Sequence, residues 1–84
     1  MKTSLRESIH SNDNRLMRKF LIYLRKSLEL SQRGLAEKMG VSRSYIGKVE
    51  VGDRRLDYLE FKKYLEFLNS NINEFERYLK KCSL

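Results

Sequence analysis

Proline and tryptophan are absent from this sequence of 84 residues, and cysteine and histidine occur only once each. The single cysteine, Cys82, cannot form a disulfide within the chain, which excludes a secreted domain that disulfide bonds hold together. One cysteine and one histidine are too few for a zinc site, and we expect no metal or other cofactor. No run approaches the roughly 20 apolar residues of a membrane span, so we expect a cytoplasmic protein.

The charge balance is strongly basic, with 18 Lys and Arg against 11 Asp and Glu and a net charge of +7. Such a balance favours a polyanionic partner, either nucleic acid or an anionic membrane surface. A single domain of this length is too small to surround a substrate pocket with several layers of structure. The sequence also offers no catalytic set of a nucleophile, a general base and a group that orients the base. We therefore expect a binding module and not an enzyme.

The fold class follows from apolar residues that recur at helical spacing, without strand-like alternation. We predict an all-α domain of five helices over residues 13–81, preceded by a polar N-terminal arm at 1–12 and followed by a tail at 82–84. The first helix begins near Asp13. Its apolar stripe consists of Leu16, Met17, Phe20, Leu21, Leu24 and Leu28.

Capping residues mark the next two helices, which are short. Ser31 can cap a helix that begins at Gln32 and ends at Gly40, and Ser42 can cap a third helix that ends near Gly52. Ile46 and Val49 give the third helix one apolar face.

Two capping boxes mark the last two helices. Asp57 and Glu60 form the first box, and the apolar residue Leu56 precedes it. Asn73 and Glu76 form the second box. Apolar stripes follow each box. They consist of Leu59, Phe61, Tyr64, Leu65 and Leu68 in the fourth helix, and of Phe75, Tyr78 and Leu79, preceded by Ile72, in the fifth.

Two short helices joined by a tight turn at residues 40–42 form the pattern of a helix-turn-helix. In this motif the second helix enters the major groove of DNA. At 100° per residue, Ser44, Gly47, Lys48 and Val51 face away from Ile46 and Val49, and Arg43 and Tyr45 flank the outer face. Cations and hydroxyls on such a face suit the edges of bases.

The segment at 31–55, SQRGLAEKMGVSRSYIGKVEVGDRR, resembles the lambda-repressor and Cro-like helix-turn-helix family. The resemblance implies a five-helix DNA-binding domain with the motif at helices 2 and 3. It rests on several features together: Gln32, Leu35-Ala36, Gly40-Val41-Ser42, Ile46, Glu50 and Gly52, followed by a basic loop.

The resemblance also implies roles for individual residues. Arg43, Ser44 and Lys48 occupy base-reading positions, and an ion pair between Arg25 and Glu50 braces the third helix. Two alternatives remain open at this stage: the ring of Tyr45 either packs against neighbours or lies near the DNA backbone, and Arg54 and Arg55 either contact phosphates or form a solvated turn. The candidate contacts to the DNA backbone are Gln32, Arg33, Ser42, Tyr45, Arg54 and Arg55.

The sequence therefore predicts a DNA-binding transcriptional regulator, a repressor, that binds an inverted repeat of double-stranded DNA as a homodimer through helix 43–50. The stripe of Ile72, Phe75, Tyr78 and Leu79 is a candidate dimer contact. One alternative is an antitoxin or other adaptor that covers a toxin or another protein partner. Another is a basic peripheral membrane helix, which we do not favour because it would remove the first helix from the core.

Overall fold

The computed structural model describes residues 12–83, and this range contains five helices and no strand. The predicted arm lies outside the described residues except for Asn12, and so does Leu84 of the predicted tail. The helices are α1 (Asn12–Ser27), α2 (Gln32–Met39), α3 (Arg43–Val51), α4 (Tyr58–Phe67) and α5 (Ile72–Ser83).

Local hydrogen bonds begin and end α2 and α3, as the sequence predicts. The Ser31 hydroxyl oxygen accepts the amide hydrogen of Gly34 at 2.9 Å, and the Ser42 hydroxyl oxygen accepts that of Tyr45 at 3.1 Å. Gly40 ends α2 with φ +72° and Gly52 ends α3 with φ +92°. Glycine adopts this left-handed conformation without a steric penalty, so both predicted helix ends are confirmed.

The end of α1 differs from the prediction. The helix stops at Ser27, and Glu29 takes the left-handed conformation with φ +58°, while the amide of Leu30 donates to the carbonyl oxygen of Arg25. Leu28 therefore lies in a turn with 36% of its surface exposed, outside the apolar stripe in which we placed it. No glycine or proline marks this end, which is why the helical pattern seemed to continue.

The capping box at Asp57 and Glu60 is confirmed, but the one predicted at Asn73 is wrong. The side-chain oxygen of Asn71 accepts the amide hydrogen of Glu74 at 2.9 Å, so α5 starts two residues earlier. The Ser70 hydroxyl also donates to the Glu74 carboxylate at 2.6 Å. Starting at Ile72 places this residue inside the helix, where it packs against the core.

The core lies where all five helices meet. Leu59 is 66% exposed and does not belong to it, contrary to our expectation. It precedes Phe61 by two residues, which at 100° per residue turns it towards the opposite side of α4. The buried apolar residues are Phe20, Leu21, Leu35, Ala36, Ile46, Val49, Phe61, Tyr64, Leu65 and Leu68.

Membrane-spanning helices and clusters of metal-ligating side chains are both absent from the described residues. None of the described helices is long and apolar enough to cross a membrane. Among the described residues, no three His, Cys, Asp or Glu side chains gather in a way that could hold a metal ion.

Candidate nucleic-acid interface

The outer face of α3 carries three polar side chains with free hydrogen-bonding groups. Arg43, Ser44 and Lys48 are exposed, and their side chains make no hydrogen bond or ion pair within residues 12–83. On the inner face, Ile46 and Val49 are almost completely buried. The core thus holds one side of α3 and leaves the donors on the other side available to an external acceptor.

A buried ion pair fixes α3 to α1. Nε of Arg25 donates to Oε2 of Glu50 at 2.6 Å, and Nη2 donates to Oε1 at 3.0 Å. Nη1 of Arg25 donates to the carbonyl oxygen of Leu30 at 2.8 Å. Each of the two charged residues is only 8% exposed. The two residues for which the resemblance implied an ion pair are therefore in direct contact, through two charge-assisted hydrogen bonds between α1 and α3.

Gln32 joins this ion pair from α2. Its Nε2 donates to Oε1 of Glu50 at 2.9 Å. We expected Gln32 to contact a DNA phosphate, and this bond occupies one of its two amide hydrogens. Because Arg25, Gln32 and Glu50 come from three different helices, their hydrogen bonds connect α1, α2 and α3 at one point.

A second arginine of α1, which sequence reasoning missed, lies at the end of α3. A Cβ placed on Gly52 would come within 3.1 Å of Cζ of Arg18, so the guanidinium group covers this glycine. A cation at the C-terminus of a helix is favourable because the helix dipole is negative there. One signal was present: Arg18 precedes Arg25 by seven residues, so both lie on the same face of α1.

A buried tyrosine lies close to the ion pair. Tyr64 is 1% exposed, and its hydroxyl has no hydrogen-bond partner among the described residues. Burial raises the pKa of Tyr64, and the negative charge of Glu50 raises this pKa further. Tyr64 therefore stays protonated at alkaline pH at which a free phenol ionises.

The first turns of α2 and α3 share a basic basin of about 440 Å³. Arg33 and Arg43 on its wall are exposed. The N-terminus of each helix adds a positive dipole end. An anionic group such as a DNA phosphate fits this environment. The basin is lined by Arg25, Ser31, Gln32, Arg33 and Arg43.

The loop after α3 folds back onto Tyr45. Nη2 of Arg54 donates to Oε2 of Glu60 at 2.7 Å, and Cζ of Arg54 lies 5.3 Å from the centre of the Tyr45 ring. This is a cation–π distance. The half-buried ring of Tyr45 thus packs against a neighbour, as one of the two alternatives proposed, whereas Arg55 is exposed.

A comparison with known families agrees with this geometry. A family model described as helix-turn-helix matches residues 21–75, more than half of the chain. The chain belongs to this helix-turn-helix family. It is a DNA-binding regulator of the lambda-repressor and Cro-like type. Searches of curated proteins and of solved structures gave no match.

In this helix-turn-helix protein the motif consists of α2, the turn at residues 40–42 and α3. The matched range also includes Arg25 and α4, so it covers the elements that hold the motif in place. The α3 helix occupies the second position of the motif, where recognition helices lie in this class of fold.

The apolar stripe of α5, our candidate dimer contact, is engaged within the domain. The Phe75 ring lies 5.6 Å from that of Phe20 and 4.9 Å from that of Phe61, and the Tyr78 ring lies 4.8 Å from that of Phe20. Ile72, Phe75, Tyr78 and Leu79 are all partly buried. Only the exposed remainder of these side chains is available to a second copy.

Proposed function

We propose that this helix-turn-helix protein is a sequence-specific transcriptional regulator, a repressor, whose α3 helix reads base edges in the major groove. One observation carries the proposal. The outer side chains of α3 are exposed and free, while its inner side is fixed by the core and by the buried pair of Arg25 and Glu50. Reading a base requires a side chain at a fixed position, and this arrangement provides one.

The side chains on the outer face suit base edges chemically. Arginine and lysine donate to O6 and N7 of guanine, and a serine hydroxyl bonds to several base groups. We therefore assign base reading to Arg43, Ser44 and Lys48. Their position in the first two turns of α3 supports this assignment, since recognition helices contact bases mainly through N-terminal residues.

Contacts to phosphates would hold α3 in the groove. The basin at the starts of α2 and α3 supports a phosphate contact through Gln32 and Arg33, which line it. Ser42 caps α3 next to Arg43 and keeps its own hydroxyl hydrogen to donate to a phosphate. The second group of candidates lies in and next to the loop after α3. It consists of Tyr45, Arg54 and Arg55.

We further propose that the protein binds as a homodimer on an inverted repeat. One nine-residue helix contacts few base pairs, and two copies would place their recognition helices in successive major grooves about 34 Å apart. Two half-sites together supply the discrimination that one lacks. A dimer of this size can repress simply by occupying DNA that a polymerase needs, and this role is exerted in the cytoplasm.

The proposal is tested by selecting bound fragments from a genomic library at a stated, moderate salt concentration. We expect enrichment of one inverted repeat. Arg43→Ala and Lys48→Ala should each weaken binding to that repeat by about 1–3 kcal/mol, because each removes a base contact. Sedimentation should show two protein chains on each repeat.

The control is Lys80→Ala, which removes an exposed lysine from α5 and changes the net charge as Lys48→Ala does. If all three variants weaken binding equally, the attraction is generic charge and the α3 helix does not read sequence. A single chain on each repeat would contradict the homodimer.

An antitoxin or other protein-binding adaptor is the second candidate, favoured by a groove of about 440 Å³ between α1 and α5. Phe20, Leu24 and Tyr78 give it an apolar floor, and Tyr23 in its wall is 63% exposed. This candidate predicts that the protein co-purifies with the product of an adjacent reading frame, and that Tyr23→Glu abolishes the complex while DNA binding persists. Independence from Tyr23 would argue against the groove.

A further inference from the structure

We infer that Val51 reads a thymine through the methyl group on C5 of the base. This contact would add an apolar element to the polar readout by Arg43, Ser44 and Lys48. The inference rests on the proposed function, since it assumes that the outer face of α3 enters the major groove.

Val51 lies in the middle of the outer face and not at its edge. It follows Ser44 by seven residues and Lys48 by three, so at 100° per residue it lies about 20° from Ser44, on the side away from Lys48. From Arg43 to Val51 the helix rises only about 12 Å. When a helix this short lies lengthwise in the major groove, which is itself about 12 Å wide, the whole of its outer face lies over base edges, including its last residue.

Among the described residues, Val51 has no packing role. The side chain is 68% exposed and is not among the apolar residues that pack against the core. It is thus an apolar group on a face that is otherwise polar. In the major groove the C5-methyl of thymine is the one apolar feature among the base edges, and it is the natural partner for such a side chain.

Gly47 explains how so short a side chain reaches a base. It lies one turn before Val51 on the same side of α3. A Cβ at Gly47 would meet only Oε1 of Gln32, at 3.8 Å, so the fold has room for a side chain there. Glycine nevertheless occupies the position, although it weakens a helix relative to alanine. Without a side chain at 47, the backbone of α3 can approach the bases closely enough for the Val51 methyl groups to touch them.

The experiment uses the selected inverted repeat and replaces its thymines with deoxyuridine, one position at a time in both half-sites. This exchange removes the C5-methyl and leaves the hydrogen-bonding groups of the base unchanged. Affinities are measured by fluorescence anisotropy for the wild type, for Val51→Ala and for Leu59→Ala. The last variant is the control, because Leu59 is a similarly exposed apolar residue on another helix.

We expect one position in each half-site at which uracil weakens binding of the wild type about fourfold per half-site, the effect of burying one methyl group. Val51→Ala should bind the thymine and uracil duplexes equally, whereas Leu59→Ala should discriminate as the wild type does. If an inverted repeat is selected but no thymine shows a penalty that depends on Val51, this inference is overturned. If no repeat is selected, the proposed function fails and the inference fails with it.

Discussion

Two arginine–glutamate pairs in the described part of the chain have the same chemistry in different surroundings. The side chains of Arg25 and Glu50 are 10% and 5% exposed, and those of Arg54 and Glu60 are 45% and 35% exposed. The first pair makes two mutual hydrogen bonds and one further bond each to the Leu30 carbonyl and the Gln32 side-chain amide. The second pair makes one mutual hydrogen bond, and Glu60 also accepts the amide hydrogen of Asp57.

This difference in exposure separates the residues that hold the helix-turn-helix motif in place from the residues that can contact DNA. A buried pair must keep its geometry because each charge has lost its water, and it can therefore fix the angle between α1 and α3. An exposed pair gains little from its attraction and exchanges readily with solvent. Arg54 can thus leave Glu60 for a phosphate at small cost, and Arg25 cannot leave Glu50.

The largest effect that we expect comes from breaking the buried pair. Arg25→Ala leaves the Glu50 carboxylate buried without its cation, and should lower the free energy of unfolding by about 3–5 kcal/mol. The matched control, Arg54→Ala, should lower it by no more than about 1 kcal/mol. Urea unfolding followed by circular dichroism measures both values. Equal losses would contradict the distinction between the two pairs.

A double substitution shows what the buried pair contributes beyond stability. Replacing both charges in Arg25→Met/Glu50→Leu removes the desolvation cost together with the attraction, so most of the lost stability should return. If the pair orients α3, this variant should still bind the selected DNA more weakly than the wild type. Wild-type affinity in the double variant would show that packing alone orients the helix.

Gly47→Ala sharpens the contrast between the inner and outer faces of α3. Alanine fits at this position and should raise the free energy of unfolding by about 1 kcal/mol, yet it should weaken DNA binding because a methyl group now separates the helix from the groove. Gly52→Ala is the control. It should destabilise the protein by about 1–2 kcal/mol, since φ is +92° at this position. A Gly47→Ala variant that binds DNA as tightly as the wild type would refute close approach at this residue.

The smallest effect near neutral pH concerns Tyr64, whose buried hydroxyl has no partner within residues 12–83. Tyr64→Phe removes the cost of burying that hydroxyl, so the free energy of unfolding should rise by up to about 1 kcal/mol near pH 7. Thermal unfolding of the two proteins measures the difference. A clear loss of stability would show that the hydroxyl makes a bond.

The same variant predicts a difference at alkaline pH. The pKa of Tyr64 is raised in the folded protein by burial and by Glu50, whereas the unfolded phenol ionises near pH 10. Above that pH the unfolded state alone loses the proton, so stability falls by up to about 1.4 kcal/mol per pH unit. Tyr64→Phe should lack this part of the decline. Parallel stability curves above pH 10 would contradict the burial of the phenol.

Much of the fold could be predicted because its signals are local. Ser31, Ser42 and Asp57 bond to amides three residues ahead, and such spacing is visible in a sequence. These capping rules failed at the start of α5, where the sequence offers two capping boxes. Asn71 and Asn73 are each followed by a glutamate three residues later, and only tertiary packing chooses between them. The rules also failed at Glu29, because nothing in a glutamate signals a positive φ.

The candidate site also has one part that the sequence predicts and one part that it does not. The outer face of α3 follows from helical geometry, but the partners of its inner face come from distant parts of the chain. Gln32 and Glu50 are 18 residues apart, and Arg18 meets Gly52 from another helix, so no spacing rule pairs either set. The face that Arg18 shares with Arg25 indicates its side of α1 but not its partner. The pair of Arg25 and Glu50 was anticipated through family resemblance alone.

An NMR titration of the ¹⁵N-labelled protein with the selected duplex tests directly whether the outer face of α3 binds DNA. We expect the amide shifts to concentrate at residues 31–33, 42–51 and 54–55, with α5 little changed outside any dimer contact. Shifts centred on the groove between α1 and α5, with α3 unchanged, would contradict DNA binding through α3.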